Sequence, residues 1–417
     1  MAGSGDPLPL NIFDLIFIAE PPIVRFFSYR FPHPTADFIG GVVPALKASL
    51  SATLHDFYPL AGKICYSGDN LVIRYEDGDS VPFTLAEYYD ADDFDDISGY
   101  HDRHRSKFRP LFSHLESDKD GEKRLLAVQV TVFPNAGFVI AVTTNHAAID
   151  GRSVMHFMRS WASACRAAEP VDLIRPSFDR STVKLAQTIS PRDFKNFFEN
   201  ILQDNSPVVT DDNAVLATFK VSKADIEKLK QRVSAVAGTC SSFSVTSACA
   251  WVSLLRARGY NNKSETRAVL NFSADCRARL SPRLPPEYLG NCLKPCFCEA
   301  MVSDLMAEDG VEFACELIQK TVKQLSEGEV MEGWEKLAMF AAAEERMSVN
   351  GSPRFGAYDT DFGWGKPVKV DFPVLKTGCI ALLDCGDEQG GIEFEVALTE
   401  KEMKEFRAHF MAVISLG

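Results

Sequence analysis

The nine residues Thr143-Thr144-Asn145-His146-Ala147-Ala148-Ile149-Asp150-Gly151 set one titratable base among small and apolar neighbours. Such surroundings keep an imidazole neutral near pH 7, because they disfavour its charged form. A neutral imidazole can accept a proton, which makes His146 the candidate general base. A hydroxyl is a weak nucleophile until its proton is removed as the new bond forms, so group transfer onto a hydroxyl needs such an acceptor. Asp150, four residues on and beside Gly151, either orients His146 directly or holds the turn through an ion pair elsewhere; the second role is preferred. Taken alone, His-x-x-x-Asp is a weak pattern, and a single histidine is more often a structural hydrogen-bonder. Two ligands with no third at suitable spacing do not make a metal site, so no metal is expected. No Gly-x-Ser-x-Gly elbow or phosphate-binding Walker loop accompanies them. Cys292, Cys296 and Cys298 lack a fourth zinc ligand and read as buried free thiols.

The flanking elements predict how this base is held. Leu125 to Val132 and Phe138 to Thr144 are β-rich runs joined by Phe133-Pro134-Asn135-Ala136-Gly137, the pattern of a hairpin. After Gly151, the apolar positions Val154, Phe157, Met158, Trp161 and Cys165 follow helical spacing. His146 therefore lies in the junction between a buried strand and an amphipathic helix, a common place for chemistry. Upstream, Phe38, Val42, Leu46, Leu50 and Leu54 lay a stripe along a helix that ends at Tyr58-Pro59-Leu60-Ala61-Gly62 and should pack on a sheet. Asp90 to Asp96 is read as a solvated acidic loop. From Asp172 to Asp212 periodicity is weak and Pro176, Pro191 and Pro207 interrupt it, which suggests a crossover with a short helix near Phe194. Strand then helix recurs in the second half. Val215 to Val221 leads into a Ser222 cap with the stripe Ile226, Leu229, Val233 and Val236, and Ile392 to Leu398 leads into a Thr399–Glu402 capping box.

At 417 residues the chain exceeds what one core usually serves, which suggests two domains of roughly 200 residues each. Its 46% hydrophobic content and 24% charged content are those of an ordered α/β protein. With 57 acidic against 44 basic side chains the net charge is -13, which argues against nucleic acid or an anionic membrane as partner. Eleven scattered cysteines, a start without a signal pattern and no run of ~18 apolar residues lead to the expectation of a soluble, cytoplasmic protein.

Several segments together resemble the plant BAHD acyltransferase family, nearly end to end. They are Leu8-Pro9-Leu10-Asn11-Ile12-Phe13-Asp14, Tyr58-Pro59-Leu60-Ala61-Gly62, His146 to Gly151, and Asp361-Phe362-Gly363-Trp364-Gly365. The resemblance implies α/β architecture: two chloramphenicol-acetyltransferase-like domains with mixed sheets and a solvent channel between them. The expected division is 1–180, a crossover linker 181–212, and 213–417, with a segment near 345–371 crossing back to the first domain. It also implies transfer of an acyl group from CoA to a hydroxyl by general-base catalysis in a ternary complex, without a covalent acyl-enzyme. Acyl-CoA is then a co-substrate, no cofactor is tightly bound, the acceptor is a small molecule, and a monomer is expected. Because the overall charge opposes an anionic donor, local basic groups or helix N-termini must bind it.

Individual residues follow from the same resemblance. Arg277, in Asn271-Phe272-Ser273-Ala274-Asp275-Cys276-Arg277, would pair with Asp150 and fix the loop carrying His146, with Gly151 supporting the turn. Asp361, Gly363, Trp364 and Gly365 would form an anchored turn that shapes the channel. Tyr288-Leu289-Gly290-Asn291-Cys292 is similar to the signature of the subfamily acting on flavonoid and phenolic glycosides, with Leu289 a departure. That makes Asn291 a candidate acyl or acceptor contact. Arg180, in Phe178-Asp179-Arg180, matches a position whose arginine approaches the acyl group, malonyl or hydroxycinnamoyl, with malonyl slightly ahead. Ser241, Ser242 and Thr246 precede or open an apolar helix whose N-terminus offers a seat for a CoA phosphate, or they simply cap it. The alternatives are a condensation-type acyltransferase fed by a carrier protein and a non-catalytic member that binds a metabolite.

Overall fold

A computed structural model describes residues 6–89, 93–117, 121–166, 174–181, 183, 213–325, 333–334 and 336–415. The expected crossover over 181–212, including the helix near Phe194, lies almost wholly outside the described residues. The architecture is α/β with mixed sheets and two large cores.

The predicted hairpin is the centre of the first core. Leu126–Phe133 and Gly137–Thr144 pair antiparallel with Phe133 opposite Gly137 and Leu126 opposite Thr144, and every residue of both strands is buried. Such continuous burial explains runs that are apolar at nearly every position rather than alternating. Five strands make this sheet, in the order Lys369–Asp371, Ile23–Arg30, Gly137–Thr144, Leu126–Phe133, Phe83–Glu87. The helix predicted from Phe38 opens with one wide turn over Phe38–Val42 and continues as Val43–Asp56, packing on Gly151–Arg166. Trp161 donates from its indole nitrogen to the Leu46 carbonyl at 3.2 Å across that contact. The acidic run is not simply a solvated loop. Asp93–Ile97 is a short helix, because Phe94 and Ile97 at helical spacing both reach the core.

In the second half, seven strands run in the order Leu293–Met301, Arg267–Asp275, Glu345–Gly351, Ile380–Asp384, Ile392–Leu398, Val215–Val221, Arg103–His104. Helices Lys223–Ala237, Ser242–Ala257, Gly310–Gln324 and Glu400–Ser415 pack on one another beside this sheet. Both predicted caps form. Ser222 accepts from the Asp225 amide at 3.0 Å, while Thr399 and Glu402 bond each other's amides reciprocally.

The two halves exchange strands. Lys369–Asp371, late in the chain, pairs with Ile23–Arg30, and Arg103–His104, early in the chain, pairs with Val215–Leu216. A fully buried charge cluster joins the exchanged pieces. Arg103 donates to Asp371 at 2.9 Å and to Glu395 at 3.3 Å, and Lys369 lies 2.7 Å from Asp371. Burial opposes ionisation of both acids, but the two cations hold Asp371 ionised, and its charge together with burial keeps Glu395 protonated. All eleven cysteines are free, and burial pushes the Cys296 thiol up to about 12 and that of Cys298 to about 11. No helix among the described residues is long and apolar enough to cross a membrane.

Candidate active site

A cavity of roughly 2250 Å³ runs between the halves, with walls from the first core, Tyr358, Phe372 and Leu375 included, and from second-half residues such as 241–243, 271–275 and 348–352. This exceeds the ~300–1,000 Å³ of an ordinary small-molecule site and leaves room for two substrates together. Cationic side chains, among them Arg279, Arg346, Arg354 and Lys376, outnumber carboxylates on its wall although the chain as a whole is anionic. An anionic ligand therefore meets local charge of the opposite sign.

His146 lines this cavity just past the end of Gly137–Thr144. The turn after the strand is fixed locally, since Asn145 accepts from the Ala147 amide at 3.0 Å and its own amide donates to the Leu125 carbonyl at 2.9 Å. Phe17 stacks on the imidazole, with centroids 3.7 Å apart and planes within 1°. Nδ1 is shielded and has no hydrogen-bond partner among the described residues; the residue's own backbone and the charges of Glu20 and Asp150 favour the protonated ring, while Arg25 opposes it. Burial dominates and lowers the pKa of His146 below 6.5, so the ring is neutral at pH 7. A ring held this way presents its other nitrogen as a proton acceptor.

Asp150 points away from this work. It is 1% exposed, and both of its oxygens are engaged. Arg277 donates from Nη1 to Oδ2 at 2.8 Å and from Nη2 to Oδ1 at 3.1 Å, the Ser153 amide donates to Oδ1 at 3.0 Å, and the Cys292 amide to Oδ2 at 3.2 Å. Burial alone would raise its pKa, yet the guanidinium and these bonds hold it below 3.8. Arg277 also donates to the Tyr288 and Gly290 carbonyls at 3.2 and 3.0 Å, tying the histidine loop to the Tyr288–Cys292 segment. A Cβ at Gly151 would lie 2.9 Å from the Phe355 ring and 3.0 Å from Arg25 Nη2, so a larger residue there would displace those side-chain ends.

Two expected ligand contacts are placed elsewhere. Arg180 does not line the cavity but is buried in an ion pair with Asp14, a carboxylate with no exposure that needs a counter-ion. Asn291 is fully buried and donates from Nδ2 to Asp14 at 3.1 Å and to the His146 carbonyl at 2.8 Å. Asn291 braces the His146 loop directly and Arg180 does so through Asp14, and neither lines the cavity. Phe17, Asp14 and Arg25 also stand on this side of the site, and no sequence pattern assigns them there. The Asn11-x-x-Asp14 capping box, with Asn11 accepting from the Phe13 amide and Asp14 from the Asn11 amide, was the local signal that this short helix is firmly placed.

None of Asp361, Gly363, Trp364 and Gly365 lines the cavity. Asp361 accepts from the Gly363 and Gly365 amides at 2.8 and 3.1 Å, with φ of 110° and 94° at the two glycines. Phe362 is driven edge-on into Trp161 at 4.9 Å and Tyr29 at 5.8 Å, and Trp364 meets Phe138 at 6.1 Å. The loop is anchored on the first core between Asp359 and Lys366, which both line the cavity. Ser241 and Ser242 do line the cavity at the start of Ser242–Ala257, where Ser241 accepts from the Ser244 amide at 3.0 Å. Thr246, one turn on, is 1% exposed and does not line the cavity.

The Transferase family model matches residues 4–413. Phenolic glucoside malonyltransferase 2 of Arabidopsis thaliana is 34% identical over 430 residues, 97% of this chain and 93% of the relative. A coumaroyl-CoA:anthocyanidin 3-O-glucoside-6''-O-coumaroyltransferase from the same plant is 30% identical, over 96% of this chain and 91% of its own. Among solved structures, vinorine synthase superposes with a TM-score of 0.75 at 22% identity, covering 97% of this chain and 93% of the other.

Proposed function

The chain belongs to the Transferase family, the acyl-CoA-dependent BAHD acyltransferases, and from that premise we propose that it moves a malonyl or hydroxycinnamoyl group onto a hydroxyl of a phenolic or flavonoid glycoside. The observation that carries this reading is the neutral, Phe17-stacked His146 on the wall of a cavity large enough for donor and acceptor together. The free imidazole nitrogen takes the acceptor's proton while its oxygen forms a bond to the thioester carbonyl carbon. The tetrahedral intermediate collapses with loss of the C–S bond, and the imidazolium returns its proton to the sulfur of CoA. Asp150 and Arg277 act as positioning residues, holding the loop and leaving the reacting proton to His146. Relatives that use malonyl-CoA and coumaroyl-CoA both support a glycoside acceptor. Mass spectrometry of products from malonyl-CoA and coumaroyl-CoA, each paired with a panel of phenolic glucosides, tests the reading. No acylated glucoside from either donor would sink it.

A further inference from the structure

The strand Ile23–Arg30 reads Ile-Val-Arg-Phe-Phe-Ser-Tyr-Arg, and the first arginine interrupts an apolar run in the middle of a sheet. Arg25 is 6% exposed and lines the same cavity as His146. A guanidinium withdrawn from water to this extent normally has a carboxylate beside it. Arg25 has none within ion-pair distance among the described residues, and its Nη1 is buried without a hydrogen-bond partner. Asp150, the acid whose field it feels, has both oxygens committed to Arg277, Ser153 and Cys292. The Phe372 ring, 5.2 Å away, offsets part of the charge on one face only. Burial pulls the pKa of Arg25 down, with Asp150 pulling it back, to about 10, so the group still carries its charge at neutral pH. Nη2 sits where a side chain on Gly151 would be, at the head of the helix that follows the histidine loop. The site is thus a desolvated, incompletely bonded cation beside the reacting centre.

We propose that Arg25 anchors the free carboxylate of a dicarboxylic acyl-CoA of the malonyl class, so that donor selectivity resides on the strand Ile23–Arg30 and not at Arg180. This inference rests on the acyl-transfer reading above and sharpens it toward one donor. A guanidinium matches a carboxylate through paired N–H donors. In a malonyl thioester the carboxylate is separated from the reacting carbonyl by a single methylene, so a cation that recognises it must lie close to the base. The phosphates of CoA, by contrast, lie at the far end of the pantetheine arm from the thioester. A neutral hydroxycinnamoyl ring in the same place would leave the cation buried and without an anion.

Calorimetric binding of malonyl-CoA, acetyl-CoA and free CoA to the wild-type protein, R25Q and R25K tests this, alongside kcat/KM for the two acyl donors. Acetyl-CoA lacks only the carboxylate. The wild type should bind malonyl-CoA roughly 10- to 100-fold more tightly than acetyl-CoA, as a charge-assisted bond implies. In R25Q that ratio should fall toward one, mainly through KM for malonyl-CoA, and R25K should recover part of it. Equal weakening of malonyl-CoA, acetyl-CoA and free CoA in R25Q would overturn the proposal in favour of a phosphate contact or a role in the fold. So would a wild type that does not distinguish the two acyl donors, a measurement that needs no variant. Binding does not depend on turnover. A wild type that prefers malonyl-CoA through Arg25 but acylates no glucoside sinks the acyl-transfer reading alone, whereas an active enzyme without the preference sinks the anchor alone.

Discussion

His146 and Phe362 sit on two motif loops that differ in placement, since His146 lines the cavity and Phe362 is buried in the first core. The loop from Asn145 to Gly151 lines the cavity with its base, its neighbours held by Arg277, Asn291 and Phe17. The loop from Asp361 to Gly365 does not line the cavity, and its aromatic residues pack on Trp161, Tyr29 and Phe138. A motif with a titratable group and small neighbours lies on the cavity wall, while one with glycines and aromatics packs into the first core. The difference lies in what each residue type can exchange with a ligand: His146 can exchange a proton, whereas Phe362 offers only buried surface.

The contrast breaks most sharply at the base itself. His146→Ala should lower kcat by ~10²- to 10⁴-fold with little change in thermal unfolding; substantial residual turnover would remove His146 from its role. Phe362→Ala should do the reverse, costing about 3–5 kcal/mol of unfolding free energy through the cavity left against Trp161 and Tyr29. Denaturant titration measures that loss, and the pH profile of the surviving activity should keep its shape. If the profile moves, the loop reaches the chemistry after all.

Arg277→Met belongs to both sides of the comparison, since it strips a buried carboxylate of its partner and should cost about 3–5 kcal/mol. Its signature is the sign of the pH dependence. In the wild type the pKa of Asp150 is held below 3.8, so its stabilisation is complete above that value and is lost as pH falls through the folded pKa. In the variant, burial raises the Asp150 pKa above its unfolded value, and the variant should lose stability as pH rises instead. Stability curves of parallel slope between pH 4 and 7 would rule out this account of the pair.

The smallest expected effect is at Phe17→Ala, where losing the stacked ring should cost about 0.5–1.5 kcal/mol. Burial is the main cause of the low pKa of His146, so opening this face to water should move it back toward 6.5. The acid limb of kcat/KM would then shift to higher pH, and activity at pH 6 would fall relative to pH 8. An unmoved limb would mean that the ring is shielded by other walls.

Much of the chain was legible without coordinates. The hairpin Leu126–Thr144, the caps at Ser222 and Thr399, and the placement of His146 between strand and helix all depend on periodicity and on hydrogen bonds spanning a few residues. Such terms are complete within a short window of sequence. Tertiary structure alone decided that Phe17 covers His146, that Asn291 holds the histidine carbonyl, and that two short strands change places between the halves. It also decided which buried arginine meets a carboxylate. Arg180 and Arg25 are alike as letters, but Asp14 happens to lie beside the first, and Arg277 has taken the acid nearest the second. Charge pairing inside a protein is settled by which groups are neighbours after folding, and that distance is not written along the chain.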